Sequence, residues 1–507
     1  GPEISPKSSS SKKGIGSEFP FFDDALVKRY ADKIRATGKI DLSLYEKYNV
    51  KRGLRNADSS GVLVGLTAIG SVHGYMISES EKISVPGKLF YRGIDVNDLV
   101  KGFQEEQRPG FEETAYLLLF GDLPNPQELQ VWNDLLDTCR RLPDGFKESV
   151  IIRSPGKDIM NSIARTVLMA YLYDPTPDQL DIETTLRQSI SLIAKFPVIA
   201  AYAYQAKAHY HMGHSLLMRY PEVGKSTAEN LLLLIREDGI YTPLEAELLD
   251  LCLVLHAEHG GGNNSAFTTH VVSSSFTDTY AAVTAATLSL KGLRHGGANL
   301  RVMEQMREIK EHVRRWDDDD EVAAYLTRIL NKEAGDGTGL IYGLGHAVYT
   351  LSDPRTEILR EKARALAHAK GRDEEMALYE TIERLGPELF NKNRAKPRDL
   401  CANVDFFSGF VYDMLNIPVD LYTPIFAASR VVGWCAHRIE ELLNSGPIIR
   451  PAYKAVFEQR PYTPMAERSE DWTWKSGTIN PRCATAPSAP ELTYLCRCWA
   501  SVPCACR

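Results

Sequence analysis

Apolar residues recur with a helical period through most of the chain, and the predicted elements follow from where that period is interrupted. Residues 111–255 read as a succession of amphipathic stretches punctuated by Pro and Gly. The spacing predicts a helix over 112–120 that stops at Gly121, and another over 182–195, after which Pro197 lies inside an apolar run. Nearer the start, a helical pattern over 21–37 ends at Gly38. Residues 53–75 are irregular, with Gly61, Gly65, Gly70 and Gly74 among alternating apolar positions. Asp95 or Asn97 is then placed to start the next helix. The run Asp317 to Asp320 precedes E-V-A-A-Y-L, where acidic residues favour a helix N-terminus through its dipole, a metal-binding acidic run being the alternative.

Composition narrows the function classes. A chain of 507 residues is long enough for more than one domain or one large helical body. A net charge of −7 supplies no basic field for nucleic acid. No apolar run approaches the roughly 20 residues of a bilayer span. The densest, 231–235, is flanked by Glu229 and Arg236 and reads as a core helix. Of nine cysteines, Cys139, Cys252, Cys401 and Cys435 are scattered without paired spacing, as expected of small apolar residues in a reducing compartment.

Both ends stand apart. Residues 1–20 are rich in Ser, Lys and Gly, lack the apolar core of a secretory signal and the arginines of a transit peptide, and read as a disordered leader with a cloning junction. The tail, 469–507, is aperiodic and holds Cys483, Cys496, Cys498, Cys504 and Cys506. Vector read-through is preferred there over a zinc site, since C-x-C pairs lack the usual C-x₂-C spacing.

Chemistry concentrates in four pieces. Residues 255–270 read L-H-A-E-H-G-G-G-N-N-S-A-F-T-T-H, and 292–299 read G-L-R-H-G-G-A-N. They are followed by G-L-G-H-A-V-Y-T-L-S-D-P-R at 343–355 and N-V-D-F-F-S-G at 403–409. Histidines beside glycines at helix boundaries sit where backbone can approach a ligand closely. In this order and at these separations the pieces resemble the citrate synthase family, over residues 21–468.

The resemblance implies a mainly all-α, two-domain fold with a little β-structure near the N-terminus. The large domain would hold residues 21–295 and 409–468, the small one 296–408, and P-G-K-L-F-Y-R-G at 86–93 would form short strands and a turn. It implies a homodimeric enzyme of the tricarboxylic acid cycle, in the cytoplasm, that joins acetyl-CoA to oxaloacetate and hydrolyses the citryl thioester. Acetyl-CoA is then a co-substrate, and no metal or prosthetic group is needed.

Roles carry over residue by residue. Asp405 would be the base for the acetyl methyl, its basicity raised by Phe406 and Phe407; the alternative is an N-cap aspartate. His295 would donate to the thioester oxygen, kept neutral by the helix that begins after it. His346 would hydrogen-bond and protonate the ketone. His259 would contact oxaloacetate, and Arg355, Arg430 and Arg450 would bind its carboxylates, with Arg450 in P-I-I-R-P donated across the dimer. For each lone arginine the alternative is a salt bridge.

Thr350 stands where many members carry Lys or Arg toward coenzyme A, and Leu293-Arg294 replaces the commoner Pro-Leu, so Arg294 is expected to take over a phosphate contact, the alternative being a shifted coenzyme A footprint. Zinc readings of His256 with His259, and of His209, His211 and His214, are the lesser alternatives. The close functional rival is 2-methylcitrate synthase, which uses propionyl-CoA. A rival of another class is a non-catalytic acyl-CoA or carboxylate binder, which would need none of Asp405, His295 and His346.

Overall fold

The computed structural model describes residues 24–78, 81–392, 394–444 and 446–468. The readings made for residues 1–20 and for the cysteine-rich tail lie outside the described residues. Within them, residues 24–57 with 452–468 form one unit and residues 58–451 another. In the first, the helix Asp24–Gly38 carries no buried residue.

The larger unit is helical, with one small sheet. Strands β1 (Gly70–Ser78), β2 (Glu81–Tyr91) and β3 (Ile94–Asp95) follow one another in an antiparallel sheet. β1 begins inside the stretch that looked irregular in sequence, because Gly70 pairs with Tyr91 across the ladder and not with anything local. Asp95 caps the helix Val96–Glu105, accepting from the Asn97 amide. Gly121 ends Phe111–Phe120 with φ of 89°, a left-handed C-cap suited to glycine. Asp318 caps Asp319–Leu330 through two backbone amides, so the aspartate run serves a helix start.

Eight helices position the site: α1 (Ile182–Met212), α2 (Pro243–His256), α3 (Asn264–Ser273), α4 (Thr279–Lys291), α5 (Ala298–His312), α6 (Pro354–Ala369), α7 (Val404–Met414) and α8 (Tyr422–Leu443). α1 runs straight past Pro197, where the sequence suggested a break after 195. Proline removes one intrahelical hydrogen bond, but Phe196, Ala200 and Ala201 beside it are fully buried, and burial on both flanks offsets that loss. α8 is buried nearly all round from Tyr422 to Arg438, which makes it the central helix. It packs against α1, α3 and α4. Arg438 stays buried because Ser273, Thr279 and the Thr277 carbonyl satisfy its guanidinium. No described helix is long and apolar enough to cross a membrane. The four body cysteines are unpaired, Cys252 and Cys435 fully buried and Cys139 and Cys401 half-buried.

The β1–β2 ribbon braces the loop 346–353. Gly87 donates its amide to Ser352 Oγ, and a Cβ at Gly87 would collide with the Ser352 carbonyl and lie 2.7 Å from the Tyr349 ring. Gly87→Ala is therefore expected to destabilise the protein by about 1–3 kcal/mol, the usual cost of overpacking. Urea unfolding checks this, and a midpoint unchanged from wild type would show that ribbon and loop are not in contact.

Candidate active site

Two motifs distant in sequence are stitched into one loop pair. The Gly345 amide donates to the Cys401 carbonyl at 2.7 Å, Asn403 N to the Gly343 carbonyl at 2.8 Å, and Asn403 Nδ2 to the Gly345 carbonyl at 2.8 Å. Gly343 has φ of 83° and lies against Phe406, so a side chain there would be both strained and blocked. This pairing fixes His346 beside the start of α7, where Asn403 is the N-cap, accepting from the Asp405 amide. Asp405 is thus not the cap, and its carboxyl is left for another task.

The tautomers follow from the hydrogen bonds. His346 Nδ1 accepts from the amides of Val348 and Tyr349 at 3.0 and 3.1 Å, so its proton sits on Nε2. That Nε2–H points at His259 Nε2, 3.2 Å away. His259 therefore carries its proton on Nδ1, a buried atom with no hydrogen-bond partner in the chain. Burial holds His259 well below its usual pKa, with Arg355 and His346 adding to the effect, so the ring is neutral. His256 is different: buried, it donates from Nδ1 to the Cys252 carbonyl at 2.8 Å and serves the end of α2. Among the described residues, the group of three side chains close enough to hold a metal includes neither His256 nor His259.

Arg430 lies at the centre. It is buried on α8, donates from Nε to the His256 carbonyl at 2.6 Å, and rests on the Phe426 ring at 4.8 Å. Its Nη1 is buried without a hydrogen-bond partner in the chain. Burial lowers its pKa to about 10, against the opposing charge of Glu258. Two orphaned donors, Arg430 Nη1 and His259 Nδ1, suit a ligand rich in anionic oxygen.

Arg355 sits at the start of α6 as expected, with Pro354 in the first turn. Its fork is already engaged: Nε and Nη2 bond Asp353 at 3.1 and 2.9 Å, and only Nη1 is left over. Asp353, completely buried, also accepts from the Val404 amide at 3.2 Å and so ties α6 to α7. Burial pushes the Asp405 carboxyl up to about 6; Arg355 and Arg430 oppose the rise and Asp353 reinforces it.

His295 precedes α5, its turn held by Gly296 N to the Leu290 carbonyl and by Thr423 Oγ1 to the Gly296 carbonyl, both 2.9 Å. Burial, then Arg430, lowers its pKa to about 4. Burial is the larger of those two causes of its neutrality. Its Nε2 is 2.9 Å from Ser265 Oγ, which also accepts from Trp434 Nε1 at 3.0 Å. Phe426 bridges the histidines, its ring centre 4.8 Å from His256 and 6.2 Å from His295.

The structure thus gathers His259, His295, His346, Arg355, Arg430 and Asp405, and leaves Arg294 and Arg450 exposed. Thr350, in place of a cation, bonds Ser84 Oγ at 2.9 Å. His209 and His211 bond the carbonyls of His214 and Pro155 at a helix end, His209 half-buried and His211 exposed. Among the described residues, the ligating atoms of His270, His437 and Glu440 lie within 4.8 Å of one another. However, His270 Nε2 and His437 Nδ1 are hydrogen-bonded at 2.9 Å, closer than two nitrogens on one zinc, about 3.3 Å for tetrahedral bonds of 2.0–2.1 Å. Sequence reasoning missed Ser265, the ion pair of Asp353 with Arg355, and this histidine pair. Ser265 alone left a signal, as the hydroxyl closing H-G-G-G-N-N-S.

Comparison with known proteins gives the family and the fold. The family profile described as citrate synthase, C-terminal domain, matches residues 58–452. A citrate synthase of Haloferax volcanii is 34% identical over 406 residues, 78% of this chain and 98% of the relative. The 2-methylcitrate synthase 1 of Corynebacterium glutamicum is 32% identical over 428 residues, 83% of this chain and 99% of the relative. Among solved structures, citrate synthase from Pyrobaculum aerophilum aligns with a TM-score of 0.63 at 30% identity, covering 81% of this chain and 94% of that one. The ternary complex of Thermoplasma acidophilum citrate synthase with carboxymethyl coenzyme A and oxaloacetate aligns with a TM-score of 0.67 at 24% identity, covering 83% and 99%, a likeness of fold.

Proposed function

The chain belongs to the citrate synthase family, and from that premise we propose that it condenses acetyl-CoA with oxaloacetate and hydrolyses the resulting citryl thioester to citrate and CoA. The observation that carries this reading is the convergence of one carboxyl poised near neutrality, Asp405, with neutral histidines and a buried, unsatisfied arginine.

Asp405 takes a proton from the acetyl methyl. His295 donates to the thioester oxygen as that carbon becomes an enolate. The nucleophilic carbon adds to the ketone of oxaloacetate, whose oxygen is held and protonated from His346 Nε2–H. Arg430 Nη1 and His259 Nδ1–H receive oxaloacetate oxygens, and Arg355 contributes through its remaining Nη1 with Asp353 fixing the guanidinium plane. Arg294 takes a phosphate of coenzyme A, compensating for Thr350. Water then cleaves the thioester. No metal or resident cofactor enters the scheme.

The reading includes a homodimer, in the cytoplasm and in the tricarboxylic acid cycle, and a two-domain organisation with residues 296–408 as the moving part. Supporting a second subunit, Arg450 is exposed in its own chain, as are Tyr453, Phe457 and Tyr462 after it, at 96%, 78% and 81%. The second reading, 2-methylcitrate synthase, rests on relatives of both names at nearly equal identity. One methyl in an apolar pocket is worth only about 1–3 kcal/mol, so the substrates are close rivals. Thiol release with oxaloacetate and each acyl-CoA decides: acetyl-CoA is expected to give the higher kcat/KM. Propionyl-CoA ahead by roughly tenfold or more assigns the second reading. No thiol release with either assigns a binding protein.

A further inference from the structure

Behind Arg430, four side chains from three segments form a continuous chain that the reaction scheme does not use. Glu441 Oε2 is 2.7 Å from His270 Nδ1, His270 Nε2 is 2.9 Å from His437 Nδ1, and His437 Nε2 is 2.5 Å from Glu258 Oε2. Glu258 Oε1 then accepts the His259 amide at 2.9 Å, which brings the chain to the site. Glu258 and His437 are completely buried.

Donor accounting fixes the charge. A carboxylate only accepts, so Glu441 takes the proton on His270 Nδ1. A neutral His270 then offers Nε2 as acceptor, and His437 must carry a proton on Nδ1. The contact between His437 Nε2 and Glu258 needs one more proton. Whether it rests on the ring or on the carboxyl, the Glu258–His437 pair is neutral overall. Burial opposes both charges, yet His437, with Arg430 and the His259 amide, holds the Glu258 pKa down and Glu258 holds the His437 pKa up, so the ion-pair form is favoured.

This neutrality matters because Glu258 and Arg430 share a neighbour. A Cβ at Gly433 would lie 3.2 Å from Glu258 Oε1 and 3.3 Å from Arg430 Cδ. With Glu258 uncompensated, the guanidinium would have a buried counter-ion of its own and less to offer a ligand.

We propose that His437 is a positioning residue for substrate binding: it takes up the charge of Glu258 and so leaves Arg430 as an uncompensated cation for a dicarboxylate. The inference rests on the reading of Arg430 as the group that receives oxaloacetate. The other charged groups facing His437 are Glu440 on its own helix, 3.9 Å from Nδ1, and His270 on α3 with its partner Glu441. Glu440 is tied to the Ala68 amide and remains in every variant below.

The test is calorimetric binding of oxaloacetate to His437→Gln, Glu258→Gln and the double variant. His437→Gln exposes the Glu258 charge and is expected to weaken binding by at least about tenfold. Glu258→Gln removes that charge while keeping an acceptor for the His259 amide, and stays within about threefold of wild type. The double variant returns to within about threefold, a rescue that mere structural damage cannot produce, since damage accumulates. A double variant as weak as His437→Gln overturns the proposal. So does Glu258→Gln weakened tenfold on its own, an arm that decides even if His437→Gln fails to fold. Affinity that changes with EDTA would put a metal ion in place of the proton and also overturns it. Thiol release is measured separately: a wild type that binds oxaloacetate but releases no thiol removes the reaction reading and leaves this one standing.

Discussion

Asp405→Asn is expected to keep the fold and oxaloacetate binding while condensation falls by about 10²–10⁴, the range for loss of a positioned base. In free energy this is about 3–5 kcal/mol of transition-state stabilisation. The amide is nearly isosteric with the carboxyl, and no side-chain hydrogen bond of Asp405 supports the start of α7, because Asn403 supplies the cap there. The loss should therefore fall on kcat, with the melting temperature little changed. The same carboxyl sets a pH signature. Burial raises its pKa to about 6, and the basic form is the active one. In wild type, kcat/KM for the acyl-CoA should be half-maximal near pH 6 and fall roughly tenfold per unit below that, reaching a plateau above. The residual activity of Asp405→Asn should lack this limb. Condensation retained within a few-fold of wild type, or an unchanged acid limb, would assign the proton transfer elsewhere.

The second large effect is recovery of activity from two dead parents. Chains carrying only Asp405→Asn, unfolded and refolded together with chains carrying only Arg450→Ala, are expected to regain about a quarter of wild-type activity. The Arg450 segment is anchored by the Ile449 amide to Ser274 Oγ at 3.0 Å, just past α3, while Arg450 itself is exposed. In a two-fold dimer such an arm is presented reciprocally to the neighbouring cleft. A mixed dimer then has one cleft with its own Asp405 and a borrowed intact Arg450, and one doubly damaged. Random mixing makes about half the dimers mixed, each with one good site of two, hence the quarter. Mass spectrometry verifies the mixed species. Activity that stays at the level of the parents, with mixed dimers present, places Arg450 in its own chain's site or outside any site.

The helical class, the breaks at Gly38 and Gly121, the caps at Asp95 and in the aspartate run, and the four motif segments were all legible in the sequence. Each depends on local physics: apolar period, a left-handed glycine, or a side chain reaching an amide within one turn. The family resemblance that the motifs carry together also named the six side chains that converge, Arg430 among them although it lies outside the four segments. Tertiary structure decided the rest, because it turns on contacts between segments far apart in the chain. β1 emerges only where Gly70 meets Tyr91, and α1 continues past Pro197 only because its flanks are buried. Asp353 captures the fork of Arg355, which in sequence was available to a substrate. Asn403, not Asp405, caps α7 once the Gly343 loop pins it, and that frees the carboxyl for chemistry. Glu258 and His437 stand 179 positions apart, so no spacing rule connects them. A charge buried by folding must find its partner in space, and that pairing exists only when α8 lies against the end of α2.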